Sequence, residues 1–158
     1  MKQKVIAAGV LAICPETEKF ILLKRRLDIP FPGYWGLPGG HFDEEDGFPK
    51  RTAIREFQEE TGYNGPIKIS TAPLYVDKSN QLDFYTYICI LPWEFTPDLK
   101  GESVCGDESL DYRWVKVDCK NVWMQQDARV IPSIITMLDL KEDEIKKVIN
   151  KFKNKNYE

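Results

Sequence analysis

The stretch REFQEETGY, residues 55–63, carries the strongest signal in this 158-residue chain. Successive residues of a helix turn by about 100°, so Glu56, Glu59 and Glu60 lie together on one face. Three carboxylates on one strip repel one another, at a cost of roughly a few tenths of a kcal/mol for each close pair. Divalent cations bound by carboxylate oxygens offset that repulsion. The strip therefore predicts a metal site, whereas three scattered glutamates would indicate only a solvated acidic face.

The ends of this helix are also marked in the sequence. Pro49 suits the first turn, and Gly62 suits the left-handed position just after the last residue. We therefore expect a helix over residues 49–61. Ile54 and Phe57 point away from the carboxylates, toward a core.

Two features upstream of the helix complete a known motif. Gly39-Gly40 is followed by an acidic run at residues 43–46 and then by residues 55–63. This order resembles the box of the Nudix hydrolase family, whose pattern is G-x5-E-x7-R-E-U-x-E-E-x-G-U, with U a bulky apolar residue. The second half of the pattern matches at every defined position. Weaker resemblance, in GYWGLPGG and in the later YRWV, covers most of residues 4–117.

The first half of the box departs from the pattern. Where the family has its first glutamate this chain has Asp46, and eight residues rather than seven separate Asp46 from Arg55. Either one residue has been inserted in the loop before the helix, or Glu45 takes the part of that glutamate in a shifted register. The sequence leaves both alternatives open.

The resemblance implies both a fold and an activity. The expected fold class is α/β, a Nudix-like α/β/α sandwich with a mixed β-sheet and a loop–helix–loop catalytic motif. The expected activity is hydrolysis of the pyrophosphate linkage of a nucleoside diphosphate joined to another moiety. By the same resemblance the cofactor is Mg²⁺, with Mn²⁺ an alternative because both ions suit oxygen ligands.

The family also implies roles for the residues of the box. Glu56, Glu59 and Glu60 would ligate the metal, together with the carbonyl of Gly40, where glycine lets the backbone approach closely. Glu56 and Glu59 are accordingly also expected among the catalytic residues. Arg55 would pair with a glutamate and fix its rotamer.

The general base is less well defined by the motif. In the family it is a box glutamate or an acid from the loop before the YRWV-type strand. That loop reads GDESLD here, which makes Glu108 the first candidate and Asp107 the second, with an ordinary surface acid as the alternative. His41, the sole histidine, follows the glycine pair, and a position at the surface or packed at the substrate's edge is favoured over a catalytic role.

Residues outside the box are expected to bind the substrate. Arg25 and Arg26 suit bidentate contacts to phosphates, or form a charge pair at a strand end. Tyr34 and Trp35 suit stacking on a base or lining its pocket, although a packing anchor is the alternative for Trp35.

The substrate class follows from the same region by resemblance. The run R-x-x-x-P-x-P-G-Y-W-x-x-P-G-G, residues 26–40, is similar to those of Nudix enzymes that act on sugar nucleotides. The intact glutamates favour attack at phosphorus over attack at the sugar carbon. We therefore expect ADP-ribose or a sugar nucleotide. The alternatives are nucleoside triphosphate clean-up, removal of pyrophosphate from RNA 5′ ends, and a non-catalytic nucleotide-sensing module.

Composition bounds the remaining possibilities. A length of 158 residues with 42% hydrophobic residues predicts one globular domain over residues 1–158. The net charge of −3 argues against non-specific nucleic-acid binding, and seven of the acids fall within residues 43–60. Four cysteines without a C-x-x-C pair predict reduced thiols in a cytoplasmic protein. The apolar run of residues 5–14 is too short to span a bilayer and predicts a buried first strand.

Hydrophobic periodicity places the other elements. Strands are expected at residues 4–13, 20–23, 67–76, 82–91 and 112–117, with a shaped loop at residues 30–40. Terminal helices are expected over about residues 121–153. Exposed apolar surface on them is compatible with a homodimer. An amphipathic stripe on the last helix predicts packing against the core, and its members are Ile145, Val148, Ile149 and Phe152.

Overall fold

The computed structural model of the chain describes residues 3–99, 109–119 and 129–153. Its strands are β1 (Val5–Cys14), β2 (Lys19–Arg25), β3 (Trp35–Gly36), β4 (Gly39–His41), β5 (Lys68–Ile69), β6 (Tyr75–Lys78), β7 (Leu82–Ile90) and β8 (Ser109–Lys116). Its α-helices are α1 (Pro49–Thr61), α2 (Pro132–Leu140) and α3 (Glu142–Phe152), and its 3₁₀ turns are Glu44–Asp46 and Val117–Cys119. Among the described residues, no helix is both long and apolar enough to cross a membrane.

The strands form one mixed sheet, which confirms the expected fold class. β1 runs parallel to β7 along nearly its whole length, and its residues are almost all buried. β2 runs antiparallel to β8, and β5 and β6 pair antiparallel with β7. The apolar first segment is therefore a central strand, as its composition predicts.

The sheet parts between β1 and β2. These strands pair only at Ile13–Phe20 and Cys14–Lys19. Farther along, β3 pairs with β2 while β4 pairs with β1. The segment of residues 35–41 therefore occupies a gap in the middle of the sheet, where β4 comes close to α1.

Helices cover both faces of the sheet and enclose two apolar clusters. α1 packs on one face, where Phe57 and Ala53 are fully buried. α2 and α3 pack on the other face, through Met137, Ile145 and Ile149 among others. The amphipathic stripe on α3 is confirmed, since Val148 and Phe152 also pack against this cluster.

Three local expectations differ from the structure. Ile54 is only half-buried, and Ala53 takes its place in the core beside Phe57. The predicted strand at residues 67–76 is two short strands, separated near Pro73, which has no N–H to donate to a ladder. The loop of residues 30–40 contains β3 and part of β4. Of the predicted terminal helices, residues 121–128 lie outside the described part, α2 and α3 confirm residues 132–152, and residues 129–131 are not helical because Val130 forms a bridge with Trp35.

Candidate active site

A cavity of about 770 Å³ opens beside the gap in the sheet, within the size range of small-molecule sites. Two groups of residues line it. The first, here called the polar wall, consists of Gly39, Gly40, His41, Glu56 and Glu60. The second, here called the apolar wall, consists of Phe31, Leu37, Ile131, Ile134 and Met137. Both acids of the polar wall belong to the predicted carboxylate strip.

The glycine pair of β4 lies directly against the glutamates of α1. The Gly39 N–H donates a 3.0 Å hydrogen bond to Oε1 of Glu60. A Cβ added to Gly40 would lie 2.6 Å from Oε1 of Glu56. Only glycine at position 40 leaves room for that carboxylate beside the backbone, which agrees with the reason for a glycine in the motif.

Glu59 lies on the solvent side of the same strip. Its side chain is 49% exposed and does not line the cavity. Arg55 joins the two sides, because its Nη1 donates to Glu56 at 2.9 Å and to Glu59 at 3.4 Å. The three glutamates share a face as predicted, but two of them face the cavity and one faces solvent.

The structure distinguishes the two alternatives for the first box acid. Asp46 is only 7% exposed and accepts two hydrogen bonds from Arg55, from Nε at 2.9 Å and from Nη2 at 3.0 Å. It also accepts from the Thr52 hydroxyl at 2.7 Å. Glu45 is exposed. Asp46 therefore occupies the position beside Arg55, and Gly47, with a φ of 81°, turns the chain between the 3₁₀ turn and α1.

Electrostatics around Arg55 match this geometry. The hydrogen bonds from Arg55 are the main cause that holds the pKa of Asp46 well below its usual range, against the opposing effect of burial. The same hydrogen bonding raises the pKa of Arg55. Asp46 and Arg55 form a charged pair that fixes the guanidinium between the loop and the helix.

The polar wall suits a divalent cation by its chemistry. Carboxylate oxygens are the ligands that Mg²⁺ and Mn²⁺ prefer, and the Gly40 backbone is adjacent to Glu56, where an added Cβ would intrude. Within the described ranges, however, no group of three or more acidic, histidine or cysteine side chains converges on one point. The carboxylates are instead engaged by Arg55 and by the Gly39 N–H. Joint ligation therefore requires rotation of these side chains.

The two arginines at the end of β2 and just after it both line the cavity. Arg25 Nε donates to the Pro30 carbonyl at 2.7 Å. Partial burial lowers the pKa of Arg25, and the Glu60 carboxylate opposes this shift. Arg26 Nε lies 3.1 Å from Asp28. The structure therefore brings the predicted phosphate-binding pair to the same cavity as the glutamates.

The two predicted stacking residues do not line the cavity. Trp35 is 9% exposed and packs in the core between the sheet and α2, with Arg113 5.9 Å from its ring. Tyr34 lies edge-on to Phe31, with 5.5 Å between ring centroids. Trp35 is thus a packing anchor, which was the alternative interpretation of this residue.

Several cavity residues were missed by sequence reasoning. Phe84 lines the cavity because it lies on the face of β7 opposite to Tyr85 and Tyr87, which pack on the α1 side. The strict alternation of β7 was a signal for that placement. No local signal marked Ile131 or Met137, which reach the cavity only because α2 packs across the sheet.

The structure does not describe the two loop candidates for the general base. Glu108 and Asp107 fall outside the described residues. Ser109, which follows them, lines the cavity and pairs with Arg25 across β2 and β8. His41 lines the cavity as well and is exposed.

The family model described as NUDIX domain matches residues 3–133, which is most of the chain. The chain belongs to the Nudix family. The match extends well beyond the box, from the first strand to the start of α2, and so includes every described strand of the mixed sheet.

Curated relatives of this Nudix chain carry hydrolase names. It is 31% identical to a putative hydrolase, 111R, of Invertebrate iridescent virus 3 over 112 residues, which are 71% of this chain and 59% of the viral protein. It is 39% identical to a putative 8-oxo-dGTP diphosphatase of Bacillus subtilis over 59 residues, 37% of each protein. The chain therefore spans about half the length of these relatives.

Solved Nudix structures share the fold. The NUDIX domain of Shewanella oneidensis NrtR, crystallised with ADP ribose, superposes with a TM-score of 0.65 at 20% identity. The superposition covers 89% of this chain and 90% of that one. At this identity the likeness concerns the fold, and it places this chain's mixed sheet and helices in the Nudix arrangement.

Proposed function

We propose that this protein is a Mg²⁺-dependent Nudix hydrolase that cleaves the pyrophosphate linkage of a nucleoside diphosphate joined to another moiety. One observation carries the proposal: two glutamates of the box, the Gly40 backbone and two arginines line the same cavity. A diphosphate bound there would meet the two arginines, which offset its negative charge, and the two glutamates, which can ligate a metal ion. ADP-ribose or a sugar nucleotide is the favoured substrate.

The side chains have distinct parts in this proposal. Glu56 and Glu60 would hold the cation from the polar wall, with Glu59 as a further ligand once these side chains rotate. Bound divalent cations neutralise phosphate charge and lower the pKa of a bound water. Arg55, fixed by Asp46, holds the Glu56 carboxylate at the edge of the cavity until a cation binds.

The substrate is held by groups outside the box. Arg25 is protonated, is partly buried and lines the cavity, so it suits a phosphate oxygen. The apolar wall gives the remainder of the ligand a surface that excludes water. Glu108 stays the first candidate for the general base because its neighbour Ser109 borders the cavity.

Nucleoside triphosphate clean-up is the second candidate function. The relative named as an 8-oxo-dGTP diphosphatase, at 39% identity over 59 residues, favours it. Both functions break a phosphorus anhydride, so they differ in the ligand beyond the diphosphate and not in the polar wall.

A substrate panel tests the proposal. Purified protein is assayed for product release from ADP-ribose, UDP-glucose, GDP-mannose, dGTP and 8-oxo-dGTP, with Mg²⁺, with Mn²⁺ and with EDTA. We expect metal-dependent turnover that Glu59→Gln reduces and the exposed Gln58→Ala on the same helix does not. In ¹⁸O-water, the label should enter a phosphate-containing product, because attack occurs at phosphorus.

Two results would contradict the proposal. Tight binding of ADP-ribose without any turnover would instead identify a nucleotide-sensing module. Label in the sugar rather than in the phosphate would identify attack at carbon.

A further inference from the structure

Phe31 has an unusual backbone for an aromatic residue. Its φ is 56°, and among the described residues Glu18 is the other non-glycine with a positive φ. Glu18 lies in a turn, whereas a bulky aromatic side chain rarely adopts this region. Phe31 also precedes Pro32, and the proline ring favours an extended backbone with negative φ at the preceding residue. Such conformations persist only where surrounding contacts impose them, and they cluster at ligand sites.

The loop that carries Phe31 is held by hydrogen bonds at both sides. Arg25 Nε donates to the Pro30 carbonyl at 2.7 Å. The Tyr34 N–H donates to the Phe31 carbonyl at 3.2 Å and closes a turn, in which Gly33 has a φ of 73°. These contacts fix the position of Phe31 relative to the cavity before any ligand arrives.

The Phe31 ring is placed to meet a flat apolar group. It lines the cavity, it remains 48% exposed, and Tyr34 supports it edge-on at 5.5 Å. A phenyl ring offers a π-face and no hydrogen-bonding group. A phosphate offers this ring no favourable contact, and among the parts of a nucleotide the planar base offers it the largest stacked surface.

We infer that Phe31 stacks on the nucleobase of the bound nucleotide, an inference that rests on the proposed function for the nature of the ligand. Arg25, tied to the same loop, then lies on the phosphate side of the base. Every base presents a π-face, so Phe31 contributes affinity with little preference among bases. This assignment replaces Tyr34 and Trp35 as the stacking residues and gives Tyr34 a supporting position.

Calorimetric titration tests the inference with two probes, AMP and ribose 5-phosphate, both with Mg²⁺. Phe31→Gly removes the ring and suits the positive φ, so the melting temperature should stay the same or rise. We expect its Kd for AMP to rise about 5- to 150-fold, and its Kd for ribose 5-phosphate to stay within about 2-fold. Phe31→Tyr keeps the ring and should retain AMP affinity. Leu27→Ala, an exposed residue of the same loop that does not line the cavity, is the matched control.

The outcomes separate this inference from the proposed function. Equal weakening of both probes by Phe31→Gly, or no weakening of AMP binding, would overturn the stacking role even in an active hydrolase. Phe31-dependent AMP binding by a protein that hydrolyses nothing in the substrate panel would support the stacking role while the hydrolase proposal failed.

Discussion

The polar wall and the apolar wall of the cavity are built in different ways. The polar wall comes from one short stretch of chain, residues 39–60, in which β4 folds directly against α1. The apolar wall comes from the loop after β2, from the segment between β3 and β4, and from α2, about 100 residues farther along the chain. Chemistry that a family shares can thus reside in one local unit. The surface proposed to meet the rest of the substrate is assembled from elements that are distant in the chain.

The largest effect is expected in the polar wall. Glu56→Gln removes a charge adjacent to the Gly40 backbone and should lower kcat/KM with ADP-ribose by at least about 100-fold, because even residues that only support metal ligands contribute roughly 10- to 100-fold. Gln58→Ala, on the exposed side of α1, should leave kcat/KM unchanged. Steady-state kinetics measure both. Near-normal turnover by Glu56→Gln would show that the polar wall does not take part in the reaction.

A pair of glycine substitutions sharpens the same comparison. Gly40→Ala places a methyl group against the Glu56 carboxylate and should lower kcat/KM by about 10- to 100-fold, since it displaces a ligand. Gly47→Ala meets no atom within 4 Å but strains a φ of 81°, so it should cost about 1 kcal/mol of unfolding free energy and little activity. Kinetics and denaturant unfolding of both variants give the comparison. Equal effects on activity would show that loop strain, and not the space for Glu56, matters here.

The Asp46–Arg55 pair should give a smaller effect that depends on pH. Asp46→Asn should lower the unfolding free energy by about 1–3 kcal/mol at pH 7, because it weakens buried charged hydrogen bonds. The folded-state pKa of Asp46 is lowered, so its stabilisation is present above the ordinary carboxyl pKa and is lost as the pH falls through the lower folded value. The difference from wild type should therefore shrink below about pH 4. Glu45→Gln, at an exposed position, is the control. A difference that is constant from pH 7 to pH 3 would show that the Asp46 charge is not the cause.

The smallest effect is expected in the apolar wall. Ile131→Ala should raise KM about 3- to 10-fold with kcat unchanged, because it removes apolar surface from the ligand's side of the cavity. Ile135→Ala, four residues farther along in α2 but outside the cavity lining, should reduce stability similarly without raising KM. A loss of kcat in Ile131→Ala would mean that the two walls do not act separately.

Sequence reasoning succeeded where structure is local. The bounds of α1 agree with the end signals at Pro49 and Gly62, and the left-handed φ of 69° at Gly62 confirms the reason for the glycine. The common face of the glutamates followed from helix geometry alone. The mixed sheet followed from the order of elements and from the family resemblance. The helix bounds and the common face depend on residues that are close together in the chain, whereas the sheet pairs distant strands and was predicted only as a class.

Sequence reasoning was incomplete where packing between distant elements decides the position of a side chain. Trp35 was a candidate for stacking by its residue type, yet the parallel bridge to Val130 and the contact with α2 place it in the core. Phe31 gave no local signal, because its φ and its exposure depend on how the loop is tied to Arg25. Residue type alone could not show that Phe31 lines the cavity whereas Trp35, four positions later, packs in the core.

The sequence by itself determined the helix, its strip of carboxylates and the glycine that ends it, because helix periodicity and end signals act over a few residues, and its box motif indicated the family. Only the tertiary structure decided that Asp46 and not Glu45 meets Arg55, that Glu56 and Glu60 face the cavity while Glu59 faces solvent, and which apolar residues complete the cavity. These depend on where the sheet parts and on how α2 packs across it. Such long-range packing is a property of the whole chain, and no short stretch of sequence contains it.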